Sequence, residues 1–141
     1  MDTCKIGQNL YQYTTIDDCT RYRVLRLYGP NTLDFLEAVL EEMPFPMQRI
    51  QTDRGREFFA LKVQKILIEV GIKFRPNKPV PLHLNGKVER SQKTDKLEFY
   101  ATVDTQSEVI HDQLAEWQHY YNWDRLHSAH GGKSPMEHFL N

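Results

Sequence analysis

Two stretches decide how this chain reads: Gln51-Thr52-Asp53-Arg54-Gly55-Arg56-Glu57-Phe58 and Asn85-Gly86-Lys87-Val88-Glu89-Arg90. In the first, a short strand around Ile50 runs into an aspartate and then a glycine, so Asp53 stands at a strand end. In the second, a turn-forming Asn-Gly pair leads into a helix that carries Glu89 in its opening turn. A spacer of 35 residues separates Asp53 from Glu89. A third carboxylate, Asp2, lies on the first strand. Each has an ordinary use when taken alone: Asp53 as a turn residue, Glu89 as a helix N3 carboxylate, Asp2 as a solvated terminal charge.

The elements around these stretches can be read outward from them. Upstream, Tyr11, Tyr13 and Thr15, then Val24, Leu25, Leu27 and Tyr28, are aromatic and branched residues typical of strands, with a turn at Asp17-Asp18-Cys19-Thr20 between them. Leu33, Leu36, Leu40 and Met43 recur at helical spacing after an Asn31 or Thr32 cap. Between the two deciding stretches, Phe59, Val63, Ile66, Leu67 and Val70 share a helix face that Gly71 can close, and Ile72 and Phe74 make a further strand. Pro76, Pro79 and Pro81 predict a mobile loop running through His83-Leu84-Asn85-Gly86, with a polar helix starting near Lys87. Downstream, Ile110, Leu114, Trp117 and Tyr121 mark a long helix. Ser134-Pro135-Met136-Glu137 has the form of a capping box with proline at the first helical position. Hairpins followed by β-α-β predict an α/β fold with a mixed sheet and helices on both faces.

Composition narrows the function. At 141 residues, 40% hydrophobic and 26% charged, the chain suits one domain over 1–141 with a real core. It has no apolar run long enough for a membrane span and no signal-peptide pattern. Its two cysteines, Cys4 and Cys19, read as reduced cytosolic thiols. The net charge of −1 does not advertise a nucleic-acid binder, so any DNA affinity must come from local basic clusters and bound metal. Lys93 and Lys96 form one such cluster, at i+4 and i+7 from Glu89 on the same helix face. His127, His130 and His138 lack cysteine partners at zinc-finger spacing. Trp117, Tyr120, Tyr121 and Trp123 read as packing rather than as a base-stacking platform.

Five words in order make the chain resemble the catalytic core of retroviral integrases and bacterial insertion-sequence transposases. They are Asp17 to Tyr22, Thr52 to Phe58, Asn85 to Arg90, Tyr121 to His127 and Gly131 to Pro135, and together they span nearly the whole chain. The resemblance implies a ribonuclease H-like fold with a mixed five-stranded sheet. It also implies an Asp-Asp-Glu triad of Asp2, Asp53 and Glu89, serving as both catalytic and metal-binding residues. Two Mg²⁺ or Mn²⁺ ions are expected when DNA is bound, because three hard carboxylates suit such cations and phosphoryl transfer needs both attacking and leaving oxygens stabilised. Asn85, Lys93 and Lys96 are expected to contact DNA, His83 beside Asn85 is a further candidate, and Glu57 is expected to be ancillary.

The implied activity is DNA 3′-end cleavage and strand transfer on mobile-element ends and target DNA, in the cytoplasm of a bacterium at the nucleoid. The implied assembly is a homodimer or higher oligomer, with no membrane partner. The alternatives are an inactive transposase fragment that serves as a folded or dimerising module, and a ribonuclease H-like nuclease. The chain departs from the pattern in three ways. Its first strand is expected to be truncated and Asp2 frayed, with the upstream DNA-binding region absent. Arg54 stands where many relatives have a small polar residue. Leu126 replaces a common proline.

Overall fold

A computed structural model describes residues 1–7, 9–28, 32–45, 47, 49–52, 61–76 and 82–140, with only the backbone described at 28, 32–34, 49–52, 61–63, 74–76 and 82–85. The chain opens with three strands, β1 (Asp2–Gly7), β2 (Leu10–Ile16) and β3 (Arg23–Tyr28), which pair antiparallel in the order β1-β2-β3. Asn9, with φ of 55°, makes the first turn, a left-handed conformation that asparagine tolerates better than most residues. The second turn folds around Asp17. Its carboxylate accepts from the Thr20 amide and the Thr20 hydroxyl, each at 2.8 Å, and its amide donates to the Tyr22 carbonyl at 2.9 Å.

Helix α1 (Thr32–Glu42) follows, then β4 (Arg49–Thr52), α2 (Leu61–Glu69) and β5 (Lys73–Pro76). Strands β4 and β5 pair parallel, joined by the helical crossover that parallel pairing requires. The five expected strands are therefore present. Among the described residues, however, their ladders form a three-stranded and a two-stranded sheet, not one recorded five-stranded ladder. Gly71, at φ of 75°, closes α2 as expected, and the Ile72 amide returns to the Leu67 carbonyl at 2.9 Å.

Helix α3 (Leu82–Thr94) begins before the position that the Asn-Gly pair suggests. The expected loop through Gly86 is helical from Leu82, while residues 77–81 lie outside the described residues. Val88, buried at 8% exposure, lies in this helix, and the turn preference of Asn85-Gly86 does not end it. The helix continues into a π-helical turn at Asp95–Phe99 and a 3₁₀ turn at Tyr100–Thr102. Helix α4 (Ile110–His119) also runs into a π-helical turn, at Tyr120–Asp124. The last helix, α5 (Pro135–Leu140), is capped by the Ser134 hydroxyl, which accepts from the Glu137 amide at 3.3 Å.

Alternation along β3 separates the core into two layers. Val24 packs with Phe35, Leu36 and Val39 of α1, Leu67 of α2 and Met136 of α5. Leu25 and Leu27 pack with Phe99 and with Ile110, Leu114, Trp117 and Tyr121. Helical elements thus cover both faces of the antiparallel sheet, as the sequence predicts. Side chains from the second layer close the outer edge of β3. Asn122 donates to the Arg23 carbonyl at 2.7 Å and accepts from the Arg23 amide at 2.8 Å, and Gln118 accepts from the Leu25 amide at 2.7 Å. These bonds satisfy backbone groups that an open edge would leave bare. Among the described residues no helix is long and apolar enough to cross a membrane.

Candidate active site

The expectation that Asp2 frays is corrected by its pairing. Asp2 lies opposite Thr14 in the β1–β2 ladder, and Met1 before it is only 8% exposed within the first core layer. Burial of the Met1 side chain anchors the strand from its first residue. Helix α3 reaches this point, because the Gln92 side-chain amide donates to the Asp2 carboxylate at 3.2 Å.

That one contact fixes which flank of α3 faces Asp2. Val88, Ser91 and Asp95 are buried, at i, i+3 and i+7. Glu89, Lys93 and Lys96 are exposed. Glu89 is three residues before Gln92, so the two are neighbours on one flank of the helix. Lys93 and Lys96 continue the same stripe. Strand β4 ends at Thr52, immediately before Asp53. Asp53 and Glu57 lie outside the described residues, and Asn85 and His83 are described by backbone alone, within α3. Among the described residues no three His, Cys, Asp or Glu side chains converge as a metal cluster. The available donors, Asp2 and Glu89, are carboxylates, the hard oxygen type that suits Mg²⁺ and Mn²⁺.

Beneath this surface lies an ionic network that sequence reasoning missed. Arg23 and Asp95 form a bidentate pair, at 2.8 and 2.6 Å, with side chains 0% and 1% exposed. Asp95 also accepts from Gln12 at 2.9 Å and from the Trp117 indole at 2.7 Å. The Tyr100 hydroxyl donates to Gln12 at 2.5 Å, and its pKa is raised, chiefly by burial and then by the Asp95 charge. The Arg23 guanidinium lies 3.7 Å from the centroid of the Tyr121 ring. Asp95 thus receives four hydrogen bonds, enough to hold a charge in the interior. The network ties β2, β3 and α4 to the end of α3, and so sets the position of the helix that bears Glu89. The one sequence signal for it is that Asp95 falls on the Val88-Ser91 face. Arg23 sits in a strand pattern that says nothing of its partner.

The C-terminal words are structural anchors. Tyr121 and Asn122 are buried, while Tyr120 and Trp123 are 44% and 43% exposed, so the expected packing role holds for Trp117 and Tyr121 and less for the other two. His130 contacts the Thr20 carbonyl at 2.7 Å and stacks on His138 with ring centroids 4.0 Å apart. The pKa of His127 is lowered to about 4, by burial first and then by the charges of Arg125 and His130.

Comparison with known proteins agrees with this architecture. Residues 1–80 match a family model described as integrase core domain, and residues 70–135 match a second with the same description. The transposase for insertion sequence element IS904 of Lactococcus lactis subsp. lactis (strain IL1403) is 30% identical over 105 residues, covering 73% of this chain and 42% of that protein. The chain therefore spans less than half the length of this curated relative. Among solved structures, the catalytic core domain of BIV integrase superposes with a TM-score of 0.76 at 18% identity, covering 99% of this chain and 91% of that one. A chain of the simian T-cell lymphotropic virus intasome in complex with PP2A regulatory subunit B56 gamma superposes with a TM-score of 0.82 at 15% identity, covering 99% and 53%. The fold is ribonuclease H-like, that of integrase catalytic cores. With more than half its residues matched by one family model and the remainder largely by the other, the chain belongs to the integrase core domain family.

Proposed function

We propose that this chain is the catalytic core of a DNA transposase or integrase, carrying out metal-dependent DNA 3′-end cleavage and strand transfer with Asp2, Asp53 and Glu89 as its carboxylates. The observation that supports the reading is the Gln92–Asp2 hydrogen bond, because Gln92 and Glu89 are three residues apart on one helix flank. Three carboxylates drawn from β1, the end of β4 and α3 would hold two divalent cations, Mg²⁺ or Mn²⁺. When bound, such a pair stabilises the attacking and leaving oxygens of an in-line phosphoryl transfer. Lys93 and Lys96 bind phosphates of the DNA end and offset the repulsion that Glu89 alone would exert on them. Asn85 contacts the same DNA from the start of α3, and Glu57 supports the site from the segment after Asp53. The partners are mobile-element ends and target DNA, engaged by a homodimer or higher oligomer in the cytoplasm of a bacterial host, at the nucleoid.

The test is strand transfer by the complete open reading frame in Mg²⁺ or Mn²⁺. Glu89→Gln keeps the side-chain shape and removes one anionic ligand, so the rate should fall by on the order of 10³-fold or more. Retention of wild-type rate by the variant removes Glu89 from the site.

A further inference from the structure

On the far flank of α3 from Glu89 lies a pocket of about 410 Å³ between the β2–β3 turn, α3 and the segment after α4. Arg21, Lys87, Arg90 and Arg125 line it, together with Tyr121 and His127, and among the described residues no carboxylate does. Lys87 precedes Glu89 by two residues, which places it roughly 160° around the helix axis at 3.6 residues per turn. The pocket is therefore separate from the carboxylate site. Three of its cations have partners at the rim: Lys87 pairs with Asp18, the Arg21 guanidinium donates to the Asp18 carbonyl, and Arg125 makes a two-bond contact with Glu98. Arg90 is exposed and has no recorded ion pair among the described residues. Four cations against two rim carboxylates leave a local excess of positive charge on a chain whose net charge is −1.

Arg21 adds a second, independent observation. Its φ is 67°, in the left-handed region where a bulky side chain is strained and glycine is not. The turn thus carries a guanidinium at a conformational cost that glycine would avoid; that guanidinium donates to the Asp18 carbonyl, and Arg21 lines the pocket with Arg90 and Arg125. Guanidinium groups match phosphate oxygens through paired N–H donors. Cations from three separate segments suit a polyanion with repeated phosphates better than one small ion.

We propose that this pocket is a second nucleic-acid contact, holding phosphodiester groups of a DNA backbone without reading bases and without metal. It rests on the reading of the chain as a DNA-acting core, and its test is kept apart from that of Glu89. Binding of a fluorescent duplex of arbitrary sequence to the full-length protein is measured in EDTA across a salt series. Lys87→Ala/Arg90→Ala should weaken binding about tenfold or more and reduce the log–log salt slope by about 2, since each neutralised phosphate contributes about 0.9. Arg90→Glu alone, which changes the charge by the same amount at an exposed position, should weaken it to a similar extent with an unchanged melting temperature. Wild-type affinity and slope in both pocket variants overturns the proposal, whatever Glu89→Gln does to strand transfer. So does absence of any metal-free duplex binding by the wild type. If polyglutamate, not the duplex, binds in a manner dependent on Lys87 and Arg90, the pocket docks acidic protein and the proposal also fails.

Discussion

The two sides of α3 carry charge under opposite conditions. On the inner side, Asp95 is 1% exposed and its carboxylate is saturated by Arg23, Gln12 and Trp117. On the outer side, Glu89, Lys93 and Lys96 are exposed. The inner charge is consumed by the fold, while the outer ones are exposed to solvent. A buried carboxylate is stable only when its lone pairs are met, and the four bonds to Asp95 restrict the geometry of the inner network, although the Arg23 Nε lacks a partner among the described residues. Exposed charges contribute little to folding and are free to vary in what they bind. The difference separates a residue that holds the helix in place from the ones proposed to meet a ligand.

Breaking the inner side should produce the largest change in stability. Asp95→Ala leaves the Arg23 charge buried without its partner, at a cost of about 3–5 kcal/mol, read as a lower urea midpoint. The double variant Arg23→Met/Asp95→Leu removes both charges and should recover most of that loss. If Asp95→Ala unfolds at the wild-type midpoint, the network does not hold α3. At the β3 edge, Asn122→Ala orphans the Arg23 amide and carbonyl together, and should cost about 2 kcal/mol by the same measurement.

A smaller effect sharpens the contrast through pH. His127 has a folded pKa near 4 against an ordinary value of 6.5, so the folded state favours the neutral ring. The unfolded chain takes up a proton first as pH falls. The stabilisation is therefore complete above about pH 6.5 and is lost progressively towards pH 4. Because the ring is only half-buried, the loss should be about 1 kcal/mol after allowing for solvent screening. His127→Gln should flatten the stability profile across that window, and a profile as steep as the wild type's would assign the slope to other groups. Least of all, Glu89→Gln should shift stability by less than about 0.5 kcal/mol without metal, as expected for an exposed position. A large thermal shift there would mean that the outer side also serves the fold.

The sequence by itself determined the local pieces. Apolar spacing marks α1, α2 and α4, Gly71 marks the end of α2, and Ser134-Pro135 marks the start of α5, because each signal resides in a backbone preference or a face repeated over a few residues. The five ordered words, two of which hold Asp53 and Glu89, likewise mark the family in the sequence alone. Only the tertiary structure decided where α3 begins, since the turn preference of Asn85-Gly86 does not interrupt the helix. It alone joined Arg23 to Asp95 and Asn122 to the edge of β3, across 72 and 99 residues of chain. It alone brought Gln92 to Asp2 and gathered Arg21, Lys87, Arg90 and Arg125 around one pocket. Charges so far apart in sequence carry no local mark of their partners. Their pairing depends on which faces the folded layers bring together, and that depends on the burial of the whole chain.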